Sequence, residues 1–509
     1  MFKVNLSLLV SFFILFFSLI LVLFNSKVIL GNLTPNDVFN LQSRSQPFEL
    51  SPERGRFALI QSIVDYHTLF FPLEIAKYVV PDLGMNNGKF VSLFAPGVSF
   101  LLVPFYYLGK HFNASQLFTF WSVGFVAVIN TFLISNIVNR ITGSKTGLIS
   151  GLTFLFATSA FSYATTLYQH HFTTLIILLI LLLMLSGKNI IRVFLIGILF
   201  GLMLFIEYPA IIFIVPMILI YVFSNMINIS KNVLHRIAMD FKIIVFTTVI
   251  FIGLIPTLLY NNYVNSNPFR LSGTVEGVNI LKVDEKNNNI IINNEEKKEN
   301  EKSVSGFFQY SKIPNGWNIL FLSSERGIIF YSPVFLLVTF IFLVISKVTK
   351  KERFTLNILF LSSLSIILLY GMWGDPWGGW AFGPRYFIPL FALLSIILGI
   401  VLKYYGRKVW FVILYLLTFL YSVFVNIAVG LTTNAIIPTK EIESLAMPNV
   451  KYLFNIELIN KGISSSFFYN RYLQDNISLQ YYYLIMIFII LSMFVAAYWM
   501  FIKDEHHEN

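Results

Sequence analysis

The sequence predicts an all-α polytopic membrane protein, and three observations carry that expectation. Of 509 residues, 56% are hydrophobic and 12% charged, with a mean hydropathy of +0.74. Apolar runs close to the length of a bilayer crossing recur from one end of the chain to the other. Lysines and arginines gather in alternate short loops between those runs, as membrane orientation requires and as a basic nucleic-acid-binding domain would not. The formal charge of +11 is therefore an orientation signal, and no nucleic acid partner is expected. There is no cysteine, which excludes disulfides, thiolate metal ligands and cysteine nucleophiles. Any catalysis must draw on carboxylate, His, Lys, Tyr or Ser side chains.

The first run, Leu8–Phe24, follows Lys3. It is long for a signal-peptide core and lacks a small-x-small cleavage site, so an uncleaved first helix is expected. Further runs fall near 116–137, 147–163, 172–186, 191–206, 210–225, 243–260, 328–346, 354–372, 386–402, 409–430 and 481–501. The segment 92–108 is short and broken by Pro96, Gly97 and Pro104, which suits a re-entrant or interface-lying piece at least as well as a crossing. Loop charge decides between the two. With that segment left out, one set of loops holds Arg140 and Lys145; Lys188 and Arg192; Lys231, Arg236 and Lys242; Lys347, Lys350, Lys351 and Arg353; Lys403, Arg407 and Lys408. The opposite short loops, Tyr163–His171, Glu207–Pro209 and Trp373–Arg385, hold Arg385 alone. The expectation is a bundle of about twelve transmembrane helices, thirteen if 92–108 crosses. It sits in the plasma membrane with both termini cytoplasmic.

That orientation turns the segments with unusual chemistry outward: 27–115, 163–171, 261–327, 373–385 and 431–480. Residues 1–430 are expected to form one transmembrane domain carrying external loop 27–115 and external insertion 261–327. Residues 431–509 add an external loop and a final transmembrane helix. Inside the insertion, Lys282 to Lys302 is a low-complexity, Asn-rich, mixed-charge stretch, expected to be solvated and mobile.

In the first external loop, Ser51-Pro52-Glu53 reads as a helix start with Ser51 as N-cap and Pro52 at the first helical position. Phe57, Ile60 and Val64 follow at helical spacing, predicting an amphipathic helix along the outer interface. Glu53 lies in its first turn, where the helix dipole favours an ionised carboxylate, and Arg56 lies three residues on. By themselves these residues also fit a capped surface helix with an ion pair.

The stretch ERGRFA, 53–58, resembles the acidic-x-x-Arg-aromatic-Ala motif of the GT-C glycosyltransferases. It is most similar to the glycosyltransferase family 39-like branch holding protein O-mannosyltransferases and lipid A aminoarabinose transferases. SLFAPGVSFLLVPFYYLG, 92–109, is similar to that branch's Pro-rich segment lying along the membrane. IVNRITGSKTGLISGLTFLFATSAFSYATTLYQHH resembles its helix, basic turn and helix leading to a second external loop. WGGWAFGPRYFIP, 377–389, resembles its Gly-rich, Arg-containing loop before a late helix. The resemblance implies inverting transfer of a sugar from a polyprenyl-phosphate donor to an acceptor protein, lipid or glycan on the outer face, within the membrane lipid. Three features depart from the family. Gln169, His170 and His171 stand where an Asp is frequent, Phe94 and Ala95 stand where a Lys precedes the Pro, and the acid is Glu rather than Asp.

A base must take the proton from the attacking hydroxyl, and Glu53 is the candidate. The leaving lipid phosphate needs positive charge. Arg385 is the first choice, with a membrane-boundary anchor as its alternative role; Arg56, Arg54, Lys89 and Arg326 follow. His170 and His171 can contact phosphate or sugar. Adjacent helical positions diverge by roughly 100°, so both holding one metal would need a non-helical turn or a ligand from elsewhere, and interfacial hydrogen bonding is the favoured role. A divalent metal is thus compatible with the sequence but not required by it. Glu207, at a tight turn between two runs, is weighed as a weaker functional acid. Two other functions compete with transfer: a lipid-linked sugar flippase or transporter, and an inactive GT-C-like lipid-binding scaffold. The runs carry almost no charge at mid-length and show no inverted repeat, which favours the enzyme.

Overall fold

A chain this apolar must satisfy its backbone locally, and helices do so. The computed structural model describes residues 6–41, 47–187, 189–225, 227–229, 237–239, 241–284, 289–294, 304–445 and 453–503. Seven helices among them are long and apolar enough to cross a membrane: Leu6–Phe24, Ser115–Thr142, Lys242–Asn265, Lys350–Gly371, Arg385–Tyr405, Val409–Leu431 and Leu479–Lys503. Shorter apolar helices occupy Gly147–Phe156, His170–Leu185, Ile190–Ile206, Tyr208–Ser224 and Pro333–Val344. The chain is an integral, helical, polytopic membrane protein. Lys3, Lys188, Lys231, Arg236 and both chain ends lie outside the described residues.

The chain divides into two compact units, each assembled from separated stretches. One comprises Met1–Val28, Phe120–Thr166 and Tyr310–Asn509; the other comprises Ile29–Thr119 and Leu167–Gln309.

In the second unit the Ile190–Ile206 and Lys242–Asn265 helices pack backbone to backbone. Gly197 and Gly201 make this approach, since a Cβ on Gly201 would stand 2.5 Å from the Ile250 carbonyl oxygen and 2.7 Å from Gly253. Such small-residue seams substitute for the hydrophobic drive that helices lack in lipid. The Gly97–His111 helix, 15 residues with Pro104 inside, buries Val98, Ser99, Leu102, Tyr106 and Gly109. Leu101, Phe105, Tyr107 and Leu108 on its other face are exposed. Tyr106 donates to Asp65 Oδ2 at 2.6 Å and Lys110 pairs with Asp65 Oδ1 at 2.6 Å, tying this helix to Ser51–Asp65. Burial and the Asp65 carboxylate push the Tyr106 phenol up.

The one-sided exposure expected of an amphipathic helix at 51–65 is not found. Gly55 through Ser62 are buried without a break, so two turns are enclosed on every side. The apolar spacing was real, but Glu53, Arg56, Gln61 and Ser62 are buried as well. It is the Gly97–His111 helix that has the one-sided burial. Most of 282–302 lies outside the described residues. Strands Val278–Asp284 and Asn289–Asn294 pair antiparallel across its start, structure that the low-complexity reading did not foresee.

In the first unit two predicted runs are broken helices. Run 147–163 stops at Phe156 and restarts at Ala160–Ala164. Thr158 bonds back to the Phe154 carbonyl at 2.6 Å while accepting the Ala160 N–H at 3.0 Å. Run 328–346 breaks at Ser332-Pro333 because proline offers no N–H. Asn426 Nδ2 donates to the Tyr331 carbonyl freed there, at 2.6 Å. Glu352, with no solvent exposure, accepts from Thr349 N at 2.7 Å, Lys403 Nζ at 2.8 Å and Tyr404 Oη at 2.9 Å.

Gly201→Val should wedge the Ile190–Ile206 seam apart and cost roughly 1–3 kcal/mol. Thermal unfolding of the detergent-purified protein checks it: a clearly lowered Tm is expected, and an unchanged one means that the seam is not close-packed.

Candidate functional site

The Ser51–Asp65 helix begins one residue earlier than the sequence indicates. Leu50, extended at φ −129°, is the N-cap, and Pro52 sits at the second helical position. The Ser51 hydroxyl is used elsewhere, donating to Asp82 Oδ2 at 2.5 Å. The capping role passes to Glu53, whose Oε2 accepts the Leu50 N–H at 3.1 Å. Glu53 is completely buried. A buried carboxylate is thereby fixed by its own helix in the first turn.

Arg56, one turn on and 5% exposed, gathers separate segments around it. Its Nη1 donates to the Pro52 carbonyl at 2.9 Å and its Nη2 to Gln169 Oε1 at 2.5 Å. Its guanidinium carbon lies 4.9 Å from the centre of the Phe94 ring and 5.9 Å from that of Tyr168. Gly55 makes room for this stack, because a Cβ there would stand 2.6 Å from the Phe94 ring. Phe94 is thus the platform under the arginine.

Gln169 continues the chain of contacts. Its Nε2 donates to Glu207 Oε1 at 3.1 Å, while Thr173 Oγ1 donates to Glu207 Oε2 at 2.5 Å. An amide can accept from a cation and donate to an anion at once, which an ionised carboxylate cannot do. His170 Nδ1 lies 3.9 Å from Glu207 Oε1, and its ring stacks on Tyr168 at 6.0 Å between centres. His170 and His171 open the His170–Leu185 helix and are both buried. Among the described residues no three His, Asp or Glu side chains converge as a metal site would require.

The remaining cations separate. Arg54 Nη2 donates to the Val80 carbonyl at 3.1 Å; burial pushes its guanidinium below the ordinary value, and the Glu53 and Asp82 carboxylates oppose that shift. Lys89 is exposed on a two-stranded hairpin, Leu83–Asn86 with Lys89–Ser92, and lies 4.4 Å over the Phe70 ring. Arg326 and Arg385 belong to the other unit. Arg326 is fully buried and donates to the carbonyls of Trp377 at 3.0 Å, Glu325 at 2.8 Å, Gly379 at 3.3 Å and Ile436 at 2.8 Å. Those bonds make it a clamp on the glycine-rich loop. Arg385, 9% exposed, lies 5.2 Å over Tyr386, and a Cβ on Gly378 would stand 2.9 Å from its Nε. Asp375 Oδ2 accepts the Gly379 N–H at 2.6 Å and shapes the same loop.

The structure therefore brings Glu53, Arg54, Arg56, His170 and His171 into one unit, together with Gln169 and Glu207. Sequence reasoning discounted Glu207 as a loop acid. The available signal was that 163–171 and 207–209 fall on the same side of the charge-derived topology.

No protein-family model matches the chain, and no curated protein does. Among solved structures it is similar to ArnT from Cupriavidus metallidurans. The apo form shares 13% identity at a TM-score of 0.45, covering 97% of this chain and 76% of that one. The form bound to undecaprenyl phosphate shares 12% identity at the same TM-score and coverage. At that level the functional reading has to rest on this chain's own side chains.

Gln169→Leu should strand Arg56 and Glu207 and cost roughly 1–3 kcal/mol in thermal unfolding. Gln169→Glu can still accept from Arg56 but sets a second carboxylate against Glu207. Its Tm deficit relative to wild type is expected near neutral pH and should shrink on acidification, when one carboxyl takes up a proton. A deficit independent of pH would separate the two residues.

Proposed function

We propose that this chain is a GT-C-type inverting glycosyltransferase that moves a sugar from a polyprenyl-phosphate donor to an acceptor hydroxyl on the extracytoplasmic face. The observation that carries the proposal is the fully buried Glu53 at the head of a helix whose next turn presents the buried Arg56. In the proposed step the acceptor hydroxyl gives its proton to the Glu53 carboxylate as its oxygen bonds to the anomeric carbon. The bond from that carbon to the phosphate oxygen breaks, and the lipid phosphate leaves with the electron pair. Arg56 and Arg54, on the same helix as the base, supply positive charge for it. Gln169 holds Arg56 in place through the contact described above. For the other unit we retain Arg385 as a phosphate-binding candidate, whereas the four carbonyl bonds of Arg326 favour a structural role.

Twelve crossings are supported by the seven long helices together with the five shorter apolar ones, with Gly97–His111 in neither group. The exposed apolar face of that helix favours contact with lipid.

Glu53→Gln should lower transfer from a radiolabelled polyprenyl-phosphate sugar by roughly 10²–10⁴-fold, with donor binding retained. Undiminished transfer or sugar hydrolysis in the variant would remove Glu53 from the mechanism. Absence of turnover with any lipid-linked donor, alongside flux in vesicles, would replace the enzyme with a transporter.

A further inference from the structure

We propose that Trp380, on the glycine-rich loop clamped by Arg326, stacks against a pyranose ring of a glycan while Lys440 donates to that ring's hydroxyls. On the glycosyltransferase reading, on which this naming rests, the glycan is the acceptor. The position is built from separate stretches of one unit. Ala381 pairs antiparallel with Ala435, and the Ile436 N–H donates to the Trp380 carbonyl at 3.1 Å. The Thr439 N–H donates to Glu325 Oε2 at 3.1 Å, which seats the short helix Thr439–Leu445 beside the loop. From that helix Glu441 Oε2 accepts the Trp380 indole N–H at 2.5 Å, and Lys440 Nζ lies 3.9 Å over the Trp377 ring. Trp377 thereby orients an exposed ammonium beside its neighbouring tryptophan.

Trp380 remains 38% exposed after these contacts. Its carbonyl and its indole N–H are both engaged, so what it shows outward is ring carbon. Gly379, at φ +65°, has open space where a Cβ would stand, which leaves room next to the ring. Lipid is the other partner an exposed ring can meet, and two observations turn the choice. An indole that anchors a protein at the membrane interface directs its N–H to the wet side, whereas this one is bound to a carboxylate of the protein. Lipid-facing surface is also a contiguous apolar patch. Among the described side chains of 373–385 and 431–442, Trp380 is the one large apolar group that is exposed, and Gly379, Lys440 and Glu441 accompany it. A pyranose fits that mixture. Its axial C–H groups carry partial positive charge and meet the negative face of the indole, and its hydroxyls accept from an ammonium. With Lys440 beside Glu441, the site calls for a neutral sugar.

The test titrates the detergent-purified protein, without donor, with β-linked gluco-, manno-, galacto- and N-acetylglucosamine hexaoses in a calorimeter. One or more of these is expected to bind. Trp380→Ala should weaken that binding by about tenfold, and Trp380→Phe, which keeps a ring but not the indole N–H, should stay within about threefold of wild type. Lys440→Met, which keeps the apolar stem and removes the donor, should weaken it by about threefold. Binding of none of these glycans overturns the proposal, as does wild-type affinity in Trp380→Ala. Should Trp380→Ala fail to fold, oxidation of the wild-type protein by N-bromosuccinimide decides: a bound hexaose should slow oxidation of Trp380, read by peptide mass, and an unprotected Trp380 overturns the proposal. Hexaose binding that depends on Trp380 supports the site even where no lipid-linked donor turns over, the result that fails the glycosyltransferase reading. Turnover with no hexaose bound fails the site alone.

Discussion

An arginine only 5% exposed must be surrounded by partners, and Arg56 sets that constraint for its unit. Its donors reach back to Pro52 and across to Gln169, and its face lies near Phe94 and Tyr168. Three segments distant in sequence, around residues 52–56, 94 and 168–169, are held by one side chain. Gln169 then passes the constraint to Glu207, a carboxylate as buried as the arginine. Removing the bridging amide from such a set typically costs about 1–3 kcal/mol, because its partners remain buried and lose a hydrogen bond. Glu53 shares the helix that Arg56 fixes, so the placement of the proposed base depends on this satisfaction of buried charge.

The other unit solves a related problem with neutral acceptors. Its Gly-rich loop turns through Gly378, Gly379 and Gly383, all at positive φ, which frees backbone carbonyls from regular structure. Arg326 takes up two of them, those of Trp377 and Gly379. Asn426 does the same for the broken helix at Ser332-Pro333. Irregular backbone is tolerated in a membrane protein where the protein itself supplies the missing partners. In both units the functional candidates therefore sit beside side chains whose work is to satisfy buried polar groups.

Much of this was legible in the sequence. The apolar runs at 116–137, 172–186, 243–260 and 481–501 are helices in place, and the Pro-interrupted 92–108 segment is a shorter helix of its own. The helix start near Ser51 was found to within one residue. Its cap was assigned to the wrong side chain, because Asp82 competes for the Ser51 hydroxyl from 31 positions away. The exposed polar face expected for that helix is buried instead. Periodicity reports which positions are apolar, whereas burial of the polar ones depends on whether partners arrive from elsewhere.

The sequence by itself determined that this is a helical membrane protein, where its apolar helices lie, and which carboxylates and cations are available for chemistry. Those follow from local composition and from short-range periodicity. Only the tertiary structure decided that Glu53 is buried, that Arg56 rests on Phe94 and is bridged through Gln169 to Glu207, and that Arg326 is a clamp. Contacts of that kind join residues tens to more than a hundred positions apart. Their energy comes from satisfying one another's buried polarity, which no local window of the chain contains.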